Sequence, residues 1–258
     1  MKPWGSRALS HLPAALLLMA LFGGWEAAVR AGAVPPYLLP APSTIVATLL
    51  GDAGSFAAAW WFTLKVTLGA LALACASGIA GAALFALWPA MERAVMPLAI
   101  GLQVTPLVAI APILLIYVDE PHTALLLCAW VVAFFPILSN TLAGLRATDA
   151  GLSELFQLCG ATRWQRLRWL LVPGCVPYFL AGLRIGAGLA LIGAVVAEFA
   201  AGAAGSQTGL ASRMLEASFR TDMPRMFACL SLVVLTGLGL YVAVAALERA
   251  WVGAWRGR

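Results

Sequence analysis

Six runs of roughly 20 predominantly apolar residues succeed one another along the chain, each long enough to form a helix that crosses a lipid bilayer. They fall at about residues 9–29, 57–87, 95–117, 123–145, 178–200 and 226–247, bounded by charges, prolines or glycines. Composition excludes water as the surrounding solvent. Hydrophobic residues make up 62% of the 258 and charged residues 10%, where a soluble domain carries about 45–50% and about 25%. Too few charges remain to cover a polar outer face. The expected fold class is therefore all-α: a polytopic membrane protein of six transmembrane helices.

Between the first two runs, residues 33–43 hold Pro35, Pro36, Pro40 and Pro42, which exclude a helix interior and predict an extended external segment. Residues 44–50 read as a short surface helix. The third run contains Pro97, Pro106 and Pro112, which predict kinked or broken turns. The organisation read from this pattern is a first helix with its Pro-rich external segment over 1–56, then a five-helix core over 57–250. The fifth run carries Gly182, Gly186, Gly188 and Gly193, small residues that let helices approach closely.

Placing both termini inside puts Lys2, Arg7, Arg93, Arg146, Arg163, Arg166, Arg168, Arg249, Arg256 and Arg258 on the cytoplasmic side. That orientation follows the positive-inside bias. The same bias accounts for the net charge of +5; the arginines form no stripe, and no nucleic-acid partner is expected. The five cysteines, Cys75, Cys128, Cys159, Cys175 and Cys229, include no close CxxC pair and indicate neither a disulfide framework nor a metal site. With no GxxxxGK[ST] phosphate loop, the chain is expected to hold no cofactor and to hydrolyse no ATP itself. His11 at the inner edge and His122 in the outer hairpin argue against a membrane-embedded enzyme.

The most informative stretch lies within the long amphiphilic segment 146–177 and reads ELFQLCGATRWQRLRWLLVP from Glu154 to Pro173. The apolar spacing after Glu154 predicts a short helix, Gly160 a turn with permissive backbone, and residues 162–171 a second short helix ended by Pro173. Two short helices meeting at a glycine make a compact knob on the membrane face. A basic linker lying on anionic lipid is the plainer alternative.

This stretch resembles the cytoplasmic signature of the permeases of binding-protein-dependent ABC importers: EAA, three residues, G, nine residues, I, one residue, LP. Glu154, Gly160 and Pro173 keep its register, while Leu155 and Phe156 replace the two alanines, Leu170 the isoleucine and Val172 the leucine. All four replacements remain apolar. The phrases LPAPSTIVATL, VTPLVAIAPILLIY, AWVVAFFPILSNTLAGL and PYFLAGLRIGAGLALIGAVVAEF are similar to the branch importing sulfonates, taurine, nitrate and thiamin-precursor pyrimidines. The resemblance implies a type I importer permease bundle in the bacterial cytoplasmic (inner) membrane, surrounded by membrane lipid and moving a small polar or anionic solute by alternating access. It implies two ATP-binding subunits carrying ATP and Mg, a second permease copy or paralogue, and an extracytoplasmic solute-binding protein. Glu154, Leu155, Phe156, Gly160, Ala161 and Pro173 would then form the ATPase-coupling loop. A secondary transporter or channel fits the hydropathy alone, but calls for inverted repeats and several buried ionisable residues.

Charged groups within a span invite functional readings. Lys65 can reach the outer interface. Arg184 either snorkels or pairs with the docking loop. Glu198 either sits at the external mouth of the pathway or caps the loop that follows. Gln103, Thr105, Ser139 and Asn140 either line a route for a polar solute or make interhelical hydrogen bonds. Gln103, Thr105, Asn140, Arg184 and Glu198 are the candidate translocation path. External loops 33–52 and 201–224 are candidates for receiving the binding protein.

Overall fold

The computed structural model describes the backbone of residues 4–202 and 208–256, with side chains within 13, 15–202 and 208–251. Lys2, Arg258 and residues 203–207 of the second external loop lie outside the described residues. Every regular element described is helical. In chain order they are α1 (Trp4–Arg30), α2 (Pro42–Gly51), α3 (Ala53–Leu87), α4 (Pro89–Val104), α5 (Leu107–Tyr117), α6 (Pro121–Arg146), α7 (Ala150–Leu158), α8 (Arg163–Arg166), a π-helical turn (Leu167–Leu171), α9 (Val172–Ala201), α10 (Leu210–Phe219) and α11 (Met223–Arg256).

Among the described residues, α3, α6, the unbroken rod Arg163–Ala201 and α11 are each long and apolar enough to cross a membrane. The bent pair α4–α5 makes a fifth crossing if taken as one span. The sixth expected span corresponds to α1, whose apolar side chains from Leu16 to Phe22 are exposed. At its far end Glu26 reaches back to α2, accepting from the Ser43 N–H (3.0 Å) and hydroxyl (2.6 Å).

Helix α6 is the axis of the bundle, packed between α3 and α9. Small residues bring the backbones together. A Cβ at Gly182 of α9 would lie 2.9 Å from both the Asn140 Cβ and the Pro136 carbonyl oxygen of α6, and one at Gly193 would lie 2.8 Å from the Ala129 Cα. Two of the buried clusters show how the helices divide along this axis. One joins Phe62, Val66, Ala111, Cys128 and Ala194 from α3, α5, α6 and α9. The other joins Phe85, Ala99, Leu142, Leu167 and Cys175, so α4 serves one half of the bundle and α5 the other.

Two expectations need correction, at Pro173 and over residues 201–224, while the third run is broken as its prolines allow: α4 and α5 meet at 102°. Pro106 drives Thr105 out of the helical region, to φ −71° and ψ 126°, because proline disfavours α geometry in the residue before it. Pro173 does not end the second short helix. The Val172 N–H donates to the Leu167 carbonyl five residues back, and this π turn carries the chain through a proline with no N–H to give. Finally, the segment 201–224 is not merely a loop, because it contains α10, whose residues Leu210, Ala211, Ser212 and Ala217 are buried.

Candidate functional site

The segment with the Glu154 to Pro173 register folds with its backbone groups satisfied close at hand. The Asp149 carboxylate accepts from the Leu152 N–H at 3.0 Å and caps the start of α7. At the other end Gly160 adopts φ +71°, the Gly160 N–H donates to Gln157 O at 2.9 Å, and the Ala161 N–H donates to Phe156 O at 3.0 Å. This pair of bonds closes a helix with a left-handed residue. Immediately afterwards the Thr162 hydroxyl accepts from the Gln165 N–H (3.2 Å), while the Gln165 side chain accepts from the Thr162 N–H (2.8 Å). That reciprocal pair starts α8.

Nothing in α7 is buried. Leu155 is 52% and Leu158 87% exposed, Glu154 is exposed, and only Ser153 and Phe156 are half-covered. No ion pair holds Glu154 among the described residues. The result is a short helix with apolar side chains directed away from its own protein. A side chain at Gly160 would meet nothing within 4 Å, so its requirement for glycine is conformational and not steric.

The candidate path residues are not brought together. Gln103 and Thr105 are exposed at the break between α4 and α5, with the Thr105 hydroxyl donating to Gly101 O at 2.8 Å. Asn140 is half-buried on α6 and donates to Pro136 O at 2.8 Å, and Ser139 donates to the same oxygen at 3.3 Å. Both spend these bonds within their own helix. Arg184 pairs with Glu248 of α11 and lies 5.7 Å from the Tyr241 ring, so of its two readings the pairing with the docking loop is not the one found. Lys65 is exposed.

Glu198 lines no surface. It is 1% exposed, accepts from the Thr63 hydroxyl at 2.7 Å and from the Ala211 N–H at 2.9 Å, and so caps the start of α10. The Thr63 hydroxyl in turn accepts from the Leu210 N–H at 2.9 Å. A methyl group at Gly209 would overlap the Glu198 carboxylate. Of the two readings of Glu198, the cap is the one the geometry supports. Thr63 and Gly209 carry no local signal of this role; the apolar spacing of α10 was the one available cue.

Residues 76–253 match the model of a protein family described as the inner membrane component of binding-protein-dependent transport systems. The chain is 34% identical to the riboflavin transport system permease protein of Chloroflexus aurantiacus, over 93% of this chain and 88% of that one. It is also 34% identical to the formylaminopyrimidine transport permease protein of Halalkalibacterium halodurans, over 94% and 95%. A match to the taurine transport system permease protein of Escherichia coli is 26% identical over 90% and 86%. Among solved structures, a chain of an amino acid ABC transporter shares the fold, with a TM-score of 0.62 and 18% identity over 79% of this chain and 97% of that one.

Proposed function

The chain belongs to the family of binding-protein-dependent transport system inner membrane components, and from that premise we propose that it is the permease half of an ATP-driven importer whose coupling element is α7, Gly160 and α8. The observation that carries this is the helix α7 itself: capped at both ends, held by its own local bonds, and presenting Leu155 and Leu158 to a partner. Two ATP-hydrolysing subunits receive that helix, a second permease copy or paralogue completes the pore, and a solute-binding protein docks near α10 on the opposite face. The coupling element and both termini face the cytoplasm, in keeping with the arginine asymmetry. ATP binding draws the two coupling elements together and opens the pathway outward. The break at Thr105 and Pro106, with Gln103 beside it, offers polar groups to the solute. A secondary transporter or channel has no support in the family match.

For the solute, the two relatives at 34% identity favour a small nitrogen heteroaromatic of the pyrimidine or flavin kind over a sulfonate. The test reconstitutes this chain in proteoliposomes with an ATPase subunit and a solute-binding protein from the same organism. ATP-dependent uptake of formylaminopyrimidine or riboflavin, and none of taurine, is the expected result. Uptake by the chain without any ATPase subunit would overturn the coupling reading, and uptake of taurine alone would overturn the solute class.

A further inference from the structure

A cleft of about 430 Å³ opens between the coupling element and the end of α3, bordered by Leu87, Pro89, Gln157, Arg163 and Arg166. Among the described residues, neither arginine has a carboxylate partner, and Arg163 donates only to the Leu87 carbonyl oxygen at 3.4 Å. Glu92, the nearest acid in sequence to the α3 end, is engaged with Arg146. The cleft is therefore positively charged, and its volume is that of a small-molecule pocket.

A second hollow, about 350 Å³ and lined almost wholly by apolar side chains, lies beside it between α3, α6, α9 and α11, with Ile79, Phe179, Leu247 and Trp251 on its walls. Both hollows take walls from α3 and from the rod Arg163–Ala201. Ala86 and Leu171 border the charged cleft, and Ala83 and Val172 the apolar one.

Their depth is set by α3. Exposed Lys65 must reach one interface, and Leu87 lies about 33 Å further along the helix, roughly the hydrocarbon thickness of a bilayer. The Leu87 end is thus at the opposite headgroup level. Exposed Trp88, Trp164 and Trp169 mark the same level, as tryptophans do at a membrane interface.

We propose that the paired hollows form a site for an anionic phospholipid, its phosphate between Arg163 and Arg166 and one acyl chain in the apolar groove. This inference rests on the membrane-embedded reading of the chain but not on its coupling to ATP. The site ties a lipid headgroup to the base of the coupling element, where it would brace α8 against α3.

The full chain is purified in mild detergent, and bound lipid is measured by native mass spectrometry with phosphatidylglycerol and phosphatidylcholine in competition. Two guanidinium groups at a membrane surface predict a preference for phosphatidylglycerol on the order of tenfold or more. The double variant Arg163→Gln/Arg166→Gln should bring that preference to within about twofold, while Arg168→Gln, whose guanidinium lies 5.5 Å from the Trp169 ring, should retain it. Ala83→Phe, which fills the groove, should lower retention of both lipids. A preference that survives the double substitution overturns the site. So does its abolition by millimolar inorganic phosphate together with unchanged retention in Ala83→Phe, because that pattern assigns the cleft to a free anion. None of these measurements uses ATP or partner subunits, so failed ATP-dependent uptake would count against the proposed function and leave this site standing.

Discussion

At α7 the hydrogen bonds that hold the helix close within a few residues, whereas those that hold α10 reach across the chain. Asp149 accepts from Leu152, the Gly160 and Ala161 N–H groups donate to the Gln157 and Phe156 carbonyls, Thr162 and Gln165 satisfy each other, and the side chains of α7 remain outside the bundle. At α10 the cap comes from Glu198 on α9 and Thr63 on α3, and four of the helix's ten residues are sunk into its neighbours. A surface that is locally self-sufficient can be pushed by a partner without unfolding. One held by distant groups moves only with the helices that hold it. The pairing of Glu26 with Ser43 repeats the second plan more loosely, at an exposed site.

The cap on α10 is most vulnerable at Glu198. Glu198→Leu strands the Thr63 hydroxyl and the Ala211 N–H, at about 1–3 kcal/mol for each buried group left unpaired. A markedly lower melting temperature in detergent is expected, with protease cutting near α10, while Glu198→Gln retains an acceptor and loses less. Equal loss in both variants would show that charge and not hydrogen bonding holds the cap. Gly209→Ala should follow, at about 1–3 kcal/mol, because its methyl group overlaps the carboxylate. The double variant Gly209→Ala/Glu198→Ala should lose less than the sum of its parts, and strict additivity in thermal unfolding would remove the contact from the account.

On the other face, effects on stability shrink but effects on coupling do not. Gly160→Asp meets open space and strains only the backbone, at about 1–2 kcal/mol, so protein level and membrane insertion should hold near wild type. ATP-dependent uptake should nevertheless fall at least tenfold, and the ATPase subunits should be lost on co-purification. Normal uptake with normal partner recovery would return the segment to a basic linker. Leu158→Ser should change stability by no more than about 0.5 kcal/mol, being a surface substitution. Its measurable consequence should be weaker recovery of the ATPase, and unchanged recovery would place the docking contact elsewhere on α7.

What the sequence made legible follows from the range of the interaction concerned. The apolar runs, the turn at Gly160 and the disturbance at Pro106 are dictated by residues within a few positions, and each is found where the spacing puts it. Pro173 does not stop the helix because it stands in the first turn of α9, directly after the π turn, where its missing N–H is no loss. The cap at α10 joins residues 135 apart in sequence, Thr63 and Glu198, and no local pattern predicts such a pair. Arg184 and Glu248 meet across two helices for the same reason. The angle of 102° between α4 and α5 exceeds an ordinary proline kink, and the two helices pack into different cores.

Were the rod Arg163–Ala201 to tilt as one body about its middle, it would act as a seesaw. It is about 58 Å long, and Gly182, pressed against Pro136 and Asn140 of α6, stands at its midpoint. With arms of about 29 Å on either side of that fulcrum, a tilt of about 10° carries α8 about 5 Å one way and the Glu198 end about 5 Å the other. Because Glu198 grips α10, that helix travels with its end of the rod. A bulky residue at Gly182 would shift the fulcrum itself, changing the travel of both ends at once without touching either.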